Sequence, residues 1–314
     1  MGGFGGRRGP GNPKGVPRWV GTRWIAPPRA PPRMRTGPSA ARTVNVITSA
    51  RNPAVVAARR LARARGRARG RAGSFLVEGA RGVEAALAAG CRPARLFATA
   101  EAAARHENLL RAARDAGAAV TVVTSSLLAD LAQTVTPQGM VAVVPSVVRP
   151  LDGLPRRPRL VCVLVEVRDP GNAGTVLRAA DAFGADALVT TTGSVDLESP
   201  KAVRASAGSL FHLPVVAGAD WAELVRALRE RDLWLVGADP HAEATVEEAP
   251  LQRPCALVLG NEAHGLSGPA VRADLDLTVR LPQYGRAESL NLATAAAVLL
   301  YECARRQREA VHGR

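Results

Sequence analysis

Cysteine is scarce in this 314-residue chain: Cys91, Cys162, Cys255 and Cys303 stand far apart, with no CxxC pair. That spacing fits neither a disulfide framework nor a zinc site, and it leads us to expect buried free thiols in a reducing cytoplasm. Long apolar runs are missing too. None approaches the roughly 18 residues of a membrane span, and the N-terminus is too rich in Pro, Gly and Arg for a secretory segment. None of the five histidines shows metal-ligand spacing, so no metal is expected. GxGxxG is absent, which argues against a dinucleotide-dependent oxidoreductase. Lysine is almost absent, Lys14 and Lys201 being the two present.

Acidic residues are missing from the first quarter: none precedes Glu78. Of the 42 Lys and Arg, 17 lie between Arg7 and Arg71, leaving 25 against 27 acids in the remainder. The whole +15 excess therefore belongs to the leading segment. A basic arm beside a near-neutral body suits a polyanion, nucleic acid first, while a solvated tail is the plainer alternative. Residues 1–43, with "GGFGGRRGPGNPKGVP" and "APPRAPPRMR", read as a disordered Pro/Gly/Arg arm. Met34 is a candidate translation start within it.

From residue 44 the texture becomes alternating. A basic helix over about 53–65 precedes strands at 75–79, 94–99, "AAVTVVT" and "GMVAVVP", separated by helices stopping at Gly90 and Gly117 and by the Ser-capped "SSLLADLAQT". This predicts a small α/β domain over 44–147. "VRPLDGLPRRPR" has the texture of a linker, placed at 148–159. Residues 160–314 alternate again, beginning with "LVCVLVEV", a continuous apolar strand of the kind buried on both faces of a parallel sheet. The fold class is α/β, with a ligand crevice expected at the C-terminal ends of the strands.

Three strand-end loops need explaining. "VRDPGNAGTVLRAADAFGAD" carries Asn172 near a helix entrance and Arg178 six residues on, which share a target only if Asn172 precedes the regular helix. "VLGNEAHGLSG" places Leu259, Gly260, Asn261 and Glu262 where a buried strand ends. A carboxylate there is costly without partners, which makes Glu262 a candidate to pair with Arg178 or hold a substrate. "LPQYGRAESLNLATAAAVLLYE" crowds Gly285, Arg286, Ser289 and Asn291 at the mouth of the last helix, where capping by Ser289 is the simplest role.

Together these stretches resemble, in order and at fitting distances, the three motifs of the SpoU/TrmH branch of the SPOUT superfamily, RNA ribose 2′-O-methyltransferases. "SPKAVRASAGSLFHLPV" resembles the family's middle segment. Residues 44–144, with "FLVEGARGVEAAL" and "TPQGMVAV", resemble the ribosomal-protein-like RNA-binding domain some members carry. Gln283 and Ala287 depart from the family's usual apolar and β-branched residues. The resemblance implies a trefoil knot in the C-terminal domain, a homodimer, and an S-adenosylmethionine pocket contacted by Leu259, Gly260, Asn261, Leu281, Gly285 and Leu290. It implies Arg178 as the central catalytic residue, oriented with the ribose by Asn172, Glu262, Ser289 and Asn291. RNA is the implied substrate because only RNA carries the 2′-hydroxyl. Ribosomal RNA of the large subunit (23S) is favoured over transfer RNA by the accessory domain. Arg51, Arg59, Arg60, Lys201 and Arg204 are candidate phosphate contacts, with solvated helix faces as the alternative. The competing class is a non-catalytic RNA-binding or ribosome-assembly protein, which the intact polar set argues against.

Overall fold

A computed structural model describes residues 46–64, 73–132, 134, 136–266, 268–287 and 289–313. The expected disordered arm, 1–43, lies outside the described residues, as do its basic charges.

The first sheet is built from β1 (Val46–Ile47), β2 (Ser74–Glu78), β3 (Arg95–Ala98), β4 (Ala119–Val123) and β5 (Met140–Pro145), ordered β1-β4-β3-β5-β2. β5 runs antiparallel to β2 and β3, and the other pairs are parallel. Its helices are α1 (Pro53–Arg63), α2 (Ala80–Ala88), α3 (Ala100–Arg105), α4 (Glu107–Asp115) and α5 (Ser125–Ala132). Asn52 caps α1, its side chain accepting from Ala54 N at 2.9 Å, and Pro53 supplies the first helical residue. The sequence patterning missed β1, which is too short to show alternation. It also missed α3, which Thr99 caps through Ala102 N at 3.2 Å.

The second sheet is parallel in every pair and ordered β11-β9-β10-β6-β7-β8. In chain order come β6 (Leu160–Leu164), α6 (Pro170–Phe183), β7 (Ala187–Thr191), α7 (Pro200–Ser206), β8 (Val215–Ala219), α8 (Trp221–Arg229) and β9 (Trp234–Ala238). Then follow β10 (Cys255–Leu259), α9 (Pro269–Asp274), β11 (Leu277–Val279) and α10 (Leu292–His312). β6, β7 and β10 are buried along their whole length, as uninterrupted apolar strands require when helices cover both faces. β8 and α9 were not anticipated: "VVAGA" is interrupted by exposed small residues, and α9 is one short turn-and-a-half.

The cysteines that stand apart in sequence converge here. Cys162 on β6, Cys255 on β10 and Cys303 on α10 are buried and free, and Cys91 is half-buried. Burial pushes the Cys162 thiol up to about 12. Cys303 is raised well above its ordinary value by a hydrogen bond with the Cys255 thiol and by burial. Below them Gln307, 5% exposed, donates to the Arg159 and Arg253 carbonyls at 3.0 Å each, seating α10 under the sheet.

The two sheets share one continuous apolar core, and Phe75 of β2 stacks on Phe211 with ring centroids 6.1 Å apart. Glu198, 3% exposed, accepts from Ser146 Oγ (2.9 Å) and Val147 N (2.8 Å), tying the end of the first sheet to the loop before α7. Arg149 N donates to Val215 O at 2.8 Å, so the expected linker is anchored to β8 at its first turn.

α6 and α7 approach closely enough that residue 174 must be glycine. A Cβ there would lie 2.5 Å from the Ala202 carbonyl oxygen and 2.7 Å from Ala205 Cβ. Gly174→Ala gains about 1 kcal/mol of helix propensity but forces the helices apart at about 1–3 kcal/mol. A net loss of up to about 2 kcal/mol is expected in urea unfolding.

Candidate active site

Three segments leave the C-terminal ends of β6, β10 and β11 and meet. Asp169 caps α6, accepting from Asn172 N at 2.8 Å, so Asn172 occupies the first turn of the helix. Its amide Nδ2 donates to Glu262 Oε1 at 3.3 Å, and its Oδ1 accepts from Asn291 Nδ2 at 3.1 Å. Asn172, Glu262 and Asn291, separated by 90 and 119 residues from Asn172, thus form one hydrogen-bonded chain.

Glu262 also accepts from Arg168 N (3.2 Å) and Asp169 N (3.1 Å). Burial by itself would raise its carboxyl; hydrogen bonds from its own backbone N–H, from Asp169 and Arg168, and from the Asn172 amide outweigh that and hold it below its ordinary value of 4.5. A carboxyl depressed in the folded state stabilises the site fully above its unfolded value and loses that contribution as pH falls through the folded value. The loop junction is therefore expected to loosen only on acidification below the ordinary carboxylate range. Hydrogen exchange of the Arg168 and Asp169 amides against pH checks this, and Glu262→Gln should remove the pH dependence.

Asn291, not Ser289, caps α10: its Oδ1 accepts from Ala293 N (2.9 Å) and Thr294 N (3.4 Å). The Ser289 capping expectation is corrected, because Ser289 lies two residues too early to face the first-turn amides. One Asn side chain thus caps the helix through oxygen and reaches Asn172 through nitrogen.

The β10 loop is equally constrained. Asn261 and Gly265 exchange backbone hydrogen bonds at 3.0 and 2.8 Å. A Cβ on Gly260 would sit 2.2 Å from the Gly265 carbonyl carbon and 2.5 Å from Leu266 N. Asn261 Nδ2 donates to the Glu166 carbonyl at 2.7 Å. Glu166 has φ 52°, a left-handed conformation costing a non-glycine residue about 1–2 kcal/mol, and that carbonyl hydrogen bond helps hold it there.

These loops enclose a cavity of about 580 Å³. Leu259, Gly260, Asn261, Leu281 and Leu290 line it, with Asn172, Glu262, Ser289 and Asn291. Gly285 does not line it and is exposed. The patterning missed Asp239 and Arg272, which wall its far side. Asp239, 7% exposed, accepts from Arg272 Nη2 at 3.0 Å, while Arg272 Nε donates to Leu266 O at 2.7 Å. Asp239 follows β9 directly, so the strand-end rule could have found it; Arg272 sits on the unanticipated α9.

Arg178 is placed elsewhere. With Asn172 inside the regular helix, six residues of rotation turn the two side chains about 120° apart. Arg178 is exposed and outside the cavity lining. The expected Arg178–Glu262 ion pair does not form among the described residues; Glu262 is satisfied by amides instead.

The candidate phosphate contacts divide in two. Arg51 and Arg60 are exposed. Arg59 is ion-paired with Asp130, Arg204 with Glu78 at 3.5 Å, and Lys201 with Asp169 at 2.8 Å. The Lys201 hydrogen bond, then the Asn172 N–H, holds the Asp169 carboxyl below its ordinary range.

Strand-end loops that close a cavity around leucine side chains, asparagine amides and the carboxylates of Asp239 and Glu262 define a small-ligand-binding domain of the α/β class. Residues 159–301 match the SpoU rRNA methylase family, and residues 52–142 match an MRM3-like substrate binding domain. The chain is 36% identical to an uncharacterized tRNA/rRNA methyltransferase of Synechocystis sp., covering 83% of this chain and 94% of that one. It is 37% identical to the 23S rRNA (uridine(2479)-2′-O)-methyltransferase of Streptomyces viridochromogenes, covering 76% and 84%. Among solved structures, the AdoMet-bound rRNA methyltransferase from Sinorhizobium meliloti superposes with a TM-score of 0.75 at 29% identity, over 83% of this chain and 98% of that one. The SpoU methyltransferase AviRb from S. viridochromogenes, in complex with AdoMet, does so with 0.73 at 35%, over 82% and 100%. The chain belongs to the SpoU rRNA methylase family.

Proposed function

We infer that this protein is an S-adenosylmethionine-dependent RNA methyltransferase that modifies a ribose 2′-hydroxyl, with 23S ribosomal RNA as substrate. The observation that carries the reading is the Asn172–Glu262–Asn291 chain at the mouth of the cavity. The relatives named above as ribosomal RNA methyltransferases support the substrate class.

The residues present fit the donor. A cavity of about 580 Å³ is of ligand size, and its leucine side chains and Gly260 backbone suit an adenosine ring and a thioether chain. When bound, S-adenosylmethionine supplies the electrophilic methyl group. Glu262 fixes the Asn172 amide, which in turn fixes that of Asn291, and each amide keeps a second N–H for an incoming oxygen. Ser289 adds a hydroxyl at the same rim. Alignment of the acceptor oxygen behind the methyl carbon is the main task, because in-line displacement depends on it. A guanidinium offers donors and no acceptor, so the role of Arg178 is to position the acceptor ribose or its phosphate and to stabilise the developing oxyanion.

The protein acts as a cytoplasmic homodimer in this reading. Val298 and Tyr301 leave an apolar stripe of α10 46% and 52% exposed, and Tyr301 meets Phe183 of α6 edge-on at 5.6 Å. Arg178, exposed on α6, then serves the cavity of the second copy. The chain leaves β11 at the sheet edge, passes the β10 loop and returns as α10 beneath the central strands, the path a trefoil knot would take. Residues 44–147 form the RNA-binding domain and 160–314 the methyltransferase domain. Among the described residues no helix is long and apolar enough to cross a membrane, and no metal-ligating cluster occurs.

Mapping ribose methylation in RNA from cells with and without the gene tests the reading. A single 2′-O-methyl mark in 23S RNA should disappear with the gene. An unchanged map, with RNA binding retained and no S-adenosylmethionine binding by calorimetry, would establish the non-catalytic alternative.

A further inference from the structure

A second groove, of about 490 Å³, lies in the first domain between α1 and the sheet, far in sequence from the methyl-transfer residues. Its apolar wall is mostly alanine, Ala54, Ala57 and Ala58 on α1 and Ala94 just before β3, joined by Leu61 and Val143. Two guanidinium groups line it. Arg60 is exposed on α1, and Arg95 on β3 is half-buried, its Nη1 donating to Thr121 Oγ1 at 3.3 Å. No acidic side chain is among the described lining residues. The exposed face of α1 adds Arg63 nearby in the helix. Arg59, by contrast, is committed to Asp130 and takes no part.

We propose that this groove holds an unpaired nucleotide of the RNA substrate, its phosphate on Arg60 and Arg95 and its base or ribose against the alanine wall. The inference rests on the RNA-methyltransferase reading and adds where, and in what form, the RNA is gripped away from the reacting ribose. Three features select this occupant. The charge is of one sign and presented as guanidinium forks, which match phosphate oxygens in a bidentate way. The volume is that of a small-ligand pocket, too confined for a duplex, whose recognition spreads over successive minor grooves. The alanine wall offers a flat apolar surface without the large aromatic anchors that dominate protein–protein hot spots.

The groove is also held in fixed relation to the methyltransferase domain. Ser74 lines it, and its neighbour Gly73 accepts from Ser146 N at 3.0 Å. Ser146 Oγ in turn donates to buried Glu198, two residues before α7 and its Lys201–Asp169 pair beside Asn172. A nucleotide held in the groove is therefore at a set distance from the acceptor site, as a measuring contact requires.

The test uses the full chain, a short unstructured RNA oligonucleotide and deproteinised ribosomal RNA. Arg60→Glu combined with Arg95→Glu should weaken oligonucleotide binding by about tenfold or more and reduce the salt slope of log K by about 0.7, for the one single-strand phosphate the groove holds. KM for ribosomal RNA should rise while kcat and S-adenosylmethionine affinity stay put. Because Arg95 also bonds within the sheet, Ala57→Glu provides a second variant at an exposed helix position, and it should weaken binding in the same direction. Arg63→Glu changes the net charge as much as the single variant Arg60→Glu does but lies outside the lining. An effect from it as large as from Arg60→Glu overturns the groove in favour of a diffuse basic field. Unchanged affinity and slope in Ala57→Glu and the double variant also overturn it, and point to a protein occupant. A wild-type chain that methylates no RNA would sink the enzymatic reading itself, an outcome distinct from an active enzyme indifferent to groove variants.

Discussion

Arg178→Ala is expected to lower methyl transfer to RNA by about 10²–10³-fold while S-adenosylmethionine affinity stays within about twofold by calorimetry. The split follows from geometry. The guanidinium is exposed on α6 and outside the cavity lining, so the donor does not depend on it. In the proposed reading the acceptor does: the Arg178 guanidinium meets the incoming phosphate or developing oxyanion, whereas the cavity-lining Arg272 is paired with Asp239 and Lys201 with Asp169. Arg178→Lys should recover little, since an ammonium lacks the planar fork. If Arg178 acts across a dimer, mixing Arg178→Ala chains with Asn291→Ala chains should restore part of the activity that neither has alone. Full turnover in Arg178→Ala would remove the residue from the mechanism.

The second large effect is expected at Gly260. Any side chain there places its Cβ 2.2 Å from the Gly265 carbonyl carbon and 2.3 Å from its oxygen. Both obstacles are backbone, so no rotamer change relieves them. The Asn261–Gly265 bridge must open, with the loop that lines the cavity and carries Glu262. Gly260→Ala should destabilise the fold by about 1–3 kcal/mol and weaken S-adenosylmethionine binding by at least tenfold, about 1.4 kcal/mol. Isothermal titration together with urea unfolding separates the two losses. Wild-type affinity in the variant would show that this loop does not bound the donor site.

Much of this site was legible because its signals are local. A buried apolar strand ending in Gly–Asn–Glu announces a loop whose polar groups need partners, and the same logic marks Asn172 after β6 and Asn291 before α10. The strand-end rule reached Glu262 with no knowledge of the fold, whereas Leu259 and Gly260 as cofactor contacts came from the family resemblance. The rule passed over Asp239, which obeys it equally well at the end of the "LWLVGAD" strand. Arg272 and the Asp239 pair had no local signal at all. Ser289 offered a cap in its simplest role because Ser and Asn are nearly equivalent at that position, and only the place where the helix begins gives the cap to Asn291.

The amino-acid sequence by itself determined the alternation of strands and helices, the division of charge and the identity of the polar groups at three strand ends. Each of these is set by neighbours within a few residues. Partnership was decided only by the tertiary structure. It gave Glu262 to asparagine and backbone amides and not to Arg178, tied up Arg59, Lys201 and Arg204 in ion pairs, and drew three distant cysteines into one core. The physical reason is that hydrogen bonds and ion pairs are short-ranged and directional, whereas the helical phase separating Asn172 from Arg178, and the crossing that brings Asn291 to Asn172, belong to the packed chain as a whole.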